Sequence, residues 1–151
     1  MPETQRIAVD TSVIVAGLFA WHEHHEPALS ALQGALDADA EVVLPARVLI
    51  EAYSVMTRLP AQHRLAPADA YQALKGTFSG AIIVGLPPSE SWTFLEDAIE
   101  KEIRGGAVYD AEILACIYQA GVEEVLTLNR AHFERMAPEG LRVVVPGQHG
   151  D

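Results

Sequence analysis

The chain has 151 residues, 50% of them hydrophobic, and a mean hydropathy of +0.14, which is enough apolar material for one compact domain. Asp and Glu outnumber Lys and Arg by 21 to 10, and the net charge of -11 argues against broad attraction to nucleic acid or anionic lipid. Because Cys116 is the single cysteine, an intrachain disulfide and a multi-cysteine metal site are excluded, and this thiol is expected in the core.

Short apolar and β-branched runs alternate with longer helical patterns along the chain. The runs that predict buried strands are 6–9, 41–44, 81–85, 124–128 and 142–146. The patterns that predict helices are 26–38, 46–59, 67–78, 92–104 and 109–120. This alternation predicts a three-layer α/β/α domain with a central, mostly parallel sheet, over residues 1–146, with 147–151 as a short C-terminal tail. No apolar run approaches the roughly 20 residues of a membrane span, so we expect a cytoplasmic protein.

Two aspartates stand where α/β sheets bind ligands. Asp10 directly follows the first predicted strand, and ligands of open α/β sheets bind beyond the carboxyl ends of the strands. Asp110 opens a strongly apolar helix, where the first turn favours negative charge. A simple helix-opening acid is the alternative explanation for Asp110.

Glu51 lies on the predicted helix 46–59, at the border of its apolar stripe. The stripe consists of Val48, Ala52, Val55 and Leu59. A long acid beside a buried face usually has a partner or a metal ion. An ion pair with Arg47, four residues earlier, is the alternative explanation for Glu51.

Three carboxylates on one rim repel each other by about 4 kcal/mol per pair, at a separation of roughly 4 Å and an effective dielectric of about 20. A divalent cation removes this repulsion, and Mg²⁺ and Mn²⁺ prefer hard oxygen ligands. Convergence of Asp10, Glu51 and Asp110 therefore predicts a Mg²⁺ or Mn²⁺ site.

Four segments, in order, carry a resemblance to a known family: IAVDTSVIVAGLF, ARVLIEAYSVMTRLP, GGAVYDAEILACIYQAG and VLTLNRAHFERM. They resemble the PIN domain, and most closely the VapC-type toxins of bacterial toxin–antitoxin pairs. The resemblance extends from about residue 6 to residue 145. It implies an α/β/α fold with a central parallel sheet and a metal-dependent endoribonuclease activity.

Carried over residue by residue, the resemblance places the acids of the family at Asp10, Glu51 and Asp110, which become the expected catalytic residues and metal ligands. The hydroxyl groups of Thr11 and Ser12 are expected to hold substrate phosphate or metal-bound water.

The last motif departs from the family pattern. The segment TLNRAHF keeps Thr127, a substrate-binding candidate, but His132 stands where an acid is frequent. Asn129 and His132 are further candidate metal ligands, since an amide oxygen and an imidazole can both coordinate.

The reaction implied by the resemblance is hydrolysis of an RNA phosphodiester bond by a metal-activated water. Given the charge of -11, attraction of RNA must come from a local basic patch. Arg104 is the first candidate because it precedes the turn that leads to Asp110, with Arg47 and Arg130 also near the rim and Lys101 and Arg135 further out. The expected partners are a cognate antitoxin protein and a second copy of the chain.

Three other readings compete with this one. A catalytically weak or inactive PIN scaffold that binds RNA or protein is favoured by Asn129, by His132 and by the net charge. A receiver domain would need paired acids after the first strand, and a haloacid dehalogenase-like phosphatase would need Asp-x-Asp there. Asp10 is instead followed by Thr11 and Ser12, which argues against both.

Overall fold

A five-stranded sheet runs through the centre of the computed structural model, which describes residues 4–148. Its strands are β1 (Gln5–Val9), β2 (Ala40–Pro45), β3 (Ile82–Val84), β4 (Glu124–Leu126) and β5 (Arg142–Val144). They are hydrogen-bonded in the order β3-β2-β1-β4-β5, and each pairing is parallel. The predicted parallel sheet is therefore confirmed, and the carboxyl ends of β1 and β4 lie side by side at its centre.

Seven α-helices flank this sheet within residues 4–148. They are α1 (Thr11–Leu18), α2 (His25–Asp37), α3 (Ala46–Arg58), α4 (Pro67–Phe78), α5 (Ser91–Glu100), α6 (Ala107–Gln119) and α7 (Arg130–Met136), and a 3-10 turn (Pro88–Glu90) precedes α5. The α/β/α class is confirmed. None of these helices has the length and apolar character that spanning a membrane requires.

The sequence pattern does not predict α1 or α7. Nearly all of α1 is buried, including Val13–Gly17, so it lacks the apolar and polar faces that mark a surface helix. Helix α7 has only 7 residues, which is too short for a clear period. Helix α5 ends at Glu100, instead of the predicted 104, because Glu102 adopts a left-handed φ of 54° that closes the helix.

One cluster of buried side chains joins the sheet to its helices. Its largest fully buried members include Ile14 of α1, Leu44 of β2, Met56 of α3, Ile117 of α6 and Phe133 of α7. Cys116 is also buried, and burial is the main cause that raises the pKa of its thiol to about 11. The expected core thiol is therefore confirmed.

The predicted tail 147–151 begins with a turn that packs on α2. Gly147 has a φ of 84°, and a Cβ at this position would lie 2.9 Å from Cβ of Pro27, so the turn requires glycine. The backbone N–H of Gln148 donates a 3.1 Å hydrogen bond to the carbonyl of Val145. Residues 149–151 of the tail, and residues 1–3 of the domain proposed over 1–146, lie outside the described residues.

Candidate active site

Asp10 lies where β1 ends and α1 begins, at the centre of the carboxyl edge of the sheet. Its backbone N–H donates a 2.9 Å hydrogen bond to the carbonyl of Leu126 in β4. Its own carbonyl accepts the N–H groups of Val13 and Ile14, which starts α1. These bonds fix Asp10 between the two central strands, and the residue is only 5% exposed.

Two hydroxyl groups hold the Asp10 carboxylate. Ser12 Oγ donates to Asp10 Oδ2 at 3.0 Å, and Thr127 Oγ1 donates to the same oxygen at 2.9 Å. Each hydroxyl in turn accepts a backbone N–H at 3.0 Å, from Leu128 and Asn129 respectively. The segment after β4 therefore orients both donors. Within residues 4–148, no side-chain hydrogen bond falls on Oδ1 of Asp10.

Burial is the largest influence on the ionisation of Asp10 and raises the pKa of its carboxyl above the ordinary value of 3.8. The hydroxyls of Thr127 and Ser12 and the Thr11 backbone oppose this shift, while the nearby charge of Asp110 adds to it. The carboxylate is thus held in a position where its negative charge is unfavourable without a counter-charge.

Glu51 is on the second turn of α3 and is exposed, although Val48 and Ala52 beside it are buried. Thr11 Oγ1 donates a 3.2 Å hydrogen bond to Glu51 Oε2. The residue after Asp10 therefore links Glu51 to the end of β1. Glu51 therefore borders the apolar stripe, as predicted, and is itself exposed to solvent.

The alternative explanation for Glu51, an ion pair with Arg47, is wrong. The Arg47 guanidinium instead pairs with Glu112 of α6 through Nε. Its Cζ also lies 4.5 Å from the ring centroid of Tyr109. Both partners of Arg47 are therefore on α6. Among the side chains of residues 4–148, Glu51 forms a hydrogen bond with Thr11 alone.

Asp110 lies in the first turn of α6, and its side chain is 28% exposed. Its Oδ2 is 3.5 Å from Nδ1 of His132 on α7. Burial is the largest cause that raises the pKa of this carboxyl; His132 opposes the shift, and the charge of Glu51 adds to it. Asp110 therefore interacts electrostatically with Asp10 on one side and with Glu51 on the other.

A cleft of about 480 Å³ opens over Glu51 and Asp110, while buried Asp10 is not among its lining residues. Its lining residues are Glu51, Gly106, Ala107, Tyr109, Asp110, His132, Arg135 and Met136. The helices α3, α6 and α7 thus each contribute a charged or titratable side chain to one opening. The cleft contains two carboxylates, one imidazole and one guanidinium.

The chemistry of these donors fits a hard divalent cation. Neighbouring carboxylates with raised pKa values gain from a shared positive charge. However, no three His, Cys, Asp or Glu side chains within residues 4–148 already converge on one ion position. Mg²⁺ commonly uses one or two carboxylates and keeps several waters.

Comparison with known families identifies the fold. The family model described as "PIN domain" matches residues 7–138, a range that contains Asp10, Glu51, Asp110 and His132. The chain belongs to the PIN-domain family. The expected resemblance is thereby confirmed.

Named relatives of this PIN domain agree with that assignment. Ribonuclease VapC40 of Mycobacterium tuberculosis is 40% identical over 105 residues, which are 70% of this chain and 73% of that protein. VapBC2 from Rickettsia felis, solved bound to a DNA fragment from its promoter, is 14% identical, with a TM-score of 0.64 over 94% of this chain and 99% of that chain. VapC20 of Mycobacterium tuberculosis, a Sarcin-Ricin loop cleaving toxin, is 18% identical, with a TM-score of 0.60 over 79% of this chain and 86% of that chain. The two solved structures share the fold.

Three predicted site residues of this PIN domain have placements that differ from their expected roles. Thr127 is fully buried, so its hydroxyl positions Asp10 and does not reach substrate. Arg104 is exposed in the α5–α6 loop and does not line the acid cleft. Asn129 directly precedes α7 and is exposed; its backbone N–H donates to Thr127 Oγ1, its carbonyl accepts the N–H of Phe133, and it does not line the acid cleft.

Two residues that the sequence did not place at the acids line the cleft of this PIN domain. Arg135 was expected further out, yet it lies on α7 one turn after His132 and faces the same opening. His132 and Arg135 are three residues apart in the sequence, and on a helix this spacing places two side chains on one face. Tyr109, directly before Asp110, also lines the cleft and is 53% exposed.

Proposed function

We propose that this PIN domain is an endoribonuclease that hydrolyses RNA phosphodiester bonds with Mg²⁺ or Mn²⁺, as the toxin of a type II toxin–antitoxin pair. The observation that carries the proposal is the geometry of one sheet edge, where Asp10 follows β1, Thr11 Oγ1 donates to Glu51 Oε2 at 3.2 Å, and Glu51 and Asp110 line one cleft. None of these three carboxylates pairs with an arginine of residues 4–148. The 40% identity to a protein named Ribonuclease VapC40 supports RNA as the substrate.

Each acid has a distinct task in this mechanism. Asp10 and Asp110 would be the direct ligands of the ion, with Asp10 held by the hydroxyls of Ser12 and Thr127. Glu51, which accepts a hydrogen bond from Thr11, would orient a water. A bound divalent ion would lower the pKa of water and offset charge on the phosphoryl group. The hydroxyl network keeps the Asp10 carboxylate from turning away between turnovers, which is a form of preorganisation.

A basic group within the cleft would position the RNA despite the net charge of -11. Arg135 is the guanidinium that lines the cleft, beside Asp110 and His132. Other arginines are occupied elsewhere: Arg130 pairs with Glu134 at 2.7 Å, and Arg142 with Glu124 at 2.9 Å. Arg135 is therefore the cation best placed to bind a phosphate oxygen at the acids.

The proposal includes a protein partner and a second copy of the chain, both acting in the cytoplasm. An antitoxin is supported by the VapBC2 structure, whose name covers a pair of proteins that share a promoter. A homodimer is supported by α5, where Trp92 is 79% exposed and Ile99 is 76% exposed, seven residues apart on one helix face. Light scattering on the wild type and on Trp92→Ala tests the dimer.

The decisive experiment incubates the purified protein with total bacterial RNA in Mg²⁺ or Mn²⁺ and maps the new RNA ends. We expect 5′-phosphate and 3′-hydroxyl products that EDTA abolishes. Asp10→Asn and Asp110→Asn should each lower the rate by more than about 100-fold, since even groups that only orient metal ligands change activity by about 10- to 100-fold. The control is Asp39→Asn, an exposed acid at the other end of the sheet, which should cleave like the wild type.

One observation favours a second function, a PIN scaffold that binds RNA or protein with little catalysis. His132, and not a carboxylate, stands beside Asp110, so the site has less negative charge for a second cation. This scaffold would show no saturable Mn²⁺ binding that depends on Asp10 and Asp110. Calorimetric titration with Mn²⁺ on the same three variants separates the two functions.

A further inference from the structure

We propose that Tyr109 is a stacking platform for one nucleobase of single-stranded RNA, next to the phosphate held at the acids. This inference rests on the proposed ribonuclease function and adds to it a residue that positions the substrate. Four features of the structure support it: a continuous groove, a fixed aromatic ring, the charge of the groove, and the short distance from Tyr109 to Asp110.

The acid cleft continues into a second cavity. That cavity has a volume of about 550 Å³ and lies between α3 and α6. Glu51 and Tyr109 line both openings, so the two form one groove that passes over these side chains. A chain of nucleotides with a phosphate at Asp110 would therefore have room to continue past Tyr109.

One face of the Tyr109 ring is covered by a cation that an ion pair holds in place. The Arg47 guanidinium lies over one face at 4.5 Å from the centroid, and Glu112 holds that guanidinium through an ion pair. Tyr109 and Glu112 are three residues apart on α6, so one helix carries both the ring and the acid that holds Arg47 over it. The residue is nonetheless 53% exposed. A ring that is already ordered loses little entropy when a base stacks on it.

The lining of the second cavity suits a base better than a phosphate. Ile50, Leu86 and Ile113 supply apolar surface. Its charged residues are Glu51, Glu112 and Arg47, a sum of two negative charges and one positive charge. This field repels a phosphate, whereas a neutral planar base stacks on an aromatic ring whatever its sequence identity.

Tyr109 and Asp110 are consecutive, so their Cα atoms are about 3.8 Å apart. Both residues also line the acid cleft, so a nucleotide whose phosphate is held by an ion at Asp110 has its attached base within reach of Tyr109. Recognition of splayed bases on aromatic side chains is also the general way in which proteins read single-stranded RNA. The structure thus favours RNA over a protein segment as the occupant of this part of the groove.

The test measures cleavage of a short single-stranded RNA that contains a mapped cut site, with wild type, Tyr109→Ala, Tyr109→Trp and Tyr71→Ala. Tyr109→Ala should lower kcat/KM by about 5- to 150-fold, the range expected for loss of one base–aromatic stack. Tyr109→Trp should retain cleavage because the larger ring still stacks. Tyr71→Ala, at an α4 residue with a matched exposure of 56%, should behave like the wild type.

A substrate with one abasic nucleotide makes the test specific for stacking. The abasic nucleotide is placed in turn at each position that flanks the cut. At one of these positions it should lower wild-type kcat/KM to the level of Tyr109→Ala on the intact RNA. Tyr109→Ala should lose no further activity on that abasic substrate. Affinity for the same RNAs, measured in the Asp10→Asn background, should follow the same pattern. Unchanged Mn²⁺ binding by Tyr109→Ala shows that the fold and the acids are intact.

Two results would overturn the inference while leaving the ribonuclease proposal in place. One is cleavage and RNA affinity by Tyr109→Ala equal to wild type; the other is equal loss for intact and abasic substrates at every position. Weakened binding of a protein partner with unchanged RNA affinity also counts against it, since the groove would then be a protein surface. If the wild type neither cleaves nor binds RNA, both proposals fall; if it binds without cleaving, the affinity series still decides the role of Tyr109.

Discussion

The Thr127 hydroxyl at the end of β4 donates a 2.9 Å hydrogen bond to Oδ2 of Asp10 at the end of β1, across 117 residues of sequence. Both groups are buried, so this bond connects the two central strands at the proposed metal ligand. Because Thr127 Oγ1 also accepts the N–H of Asn129, the hydroxyl proton is directed at the carboxylate. The orientation of Asp10 thus depends on a residue that substrate cannot touch.

Replacing Thr127 by Val should impair both stability and cleavage. The variant keeps the shape of the side chain but leaves Asp10 Oδ2 and the Asn129 N–H each without one partner, which costs about 1 to 3 kcal/mol for buried groups. Urea unfolding measures this loss, and kcat should fall by about 10- to 100-fold. Thr127→Ser should restore both. Thr77→Val, which removes a hydroxyl bonded within α4, is the control for loss of a local hydrogen bond; a cleavage defect of equal size there would contradict a specific role for Thr127.

The stability of the metal-free protein should depend on pH through Asp10. Burial raises the pKa of Asp10 in the folded state, so between the unfolded and folded pKa values the native protein holds more protons than the unfolded chain. The contribution of Asp10 to the free energy of unfolding is therefore greatest below the ordinary pKa of 3.8 and is lost as pH rises through the raised value. Asp10→Asn removes this loss, so without metal its melting temperature should exceed that of the wild type increasingly as pH rises toward neutrality.

Thermal melts in EDTA across the acidic to neutral range measure this effect, with Asp39→Asn as the exposed control. Adding Mg²⁺ should reverse the order, because binding to the native state alone stabilises the wild type by about 2.7 kcal/mol at 100 times the Kd. The same addition should leave Asp10→Asn unchanged. A wild type that is more stable than Asp10→Asn at neutral pH in EDTA would show that burial does not disfavour the ionised form of Asp10.

The sequence predicted the sheet and the larger helices because their patterns are local. The positions of Asp10 and Asp110 also followed from local rules, since one ends a strand and the other opens a helix. In contrast, the partner of Arg47 is Glu112, 65 residues away, and no helical spacing reveals it. The i, i+4 rule proposed Glu51 because it considers one helix at a time, whereas packing of α3 near α6 offered a closer acid.

The same limit explains Thr127 and Arg135. A threonine after a strand is consistent with a substrate contact or with a buried donor, and only the pairing of β4 with β1 decides between them. Arg135 could be placed on the His132 side of a helix only once α7 itself was recognised, and its 7 residues are too few for a periodic signal.

His132→Asp should tighten binding of Mn²⁺. In the structure, His132 Nδ1 lies 3.5 Å from Asp110 Oδ2 at a side chain that is 69% exposed, so an acid there fits without repacking. The added carboxylate supplies a hard oxygen and a negative charge, and we expect the Kd for Mn²⁺ to fall by about tenfold, or roughly 1.4 kcal/mol. Calorimetry checks this, with His132→Asn as the control for loss of the imidazole. Equal affinities for wild type and His132→Asp would place His132 outside the reach of the ion.

Arg135→Gln should weaken RNA binding without affecting the metal. Arg135 lines the acid cleft with Asp110 and His132, and its guanidinium can bind phosphate oxygens through two N–H groups. Removing one phosphate contact on single-stranded RNA should lower the slope of log K against log salt by about 0.7. KM should therefore rise while the Kd for Mn²⁺ stays constant. Arg58→Gln, at the far end of α3, removes the same charge outside the cleft and should leave the salt slope unchanged. If both variants shift the slope equally, the cleft arginine contributes only to the general field of the protein, and the phosphate must be held by other groups.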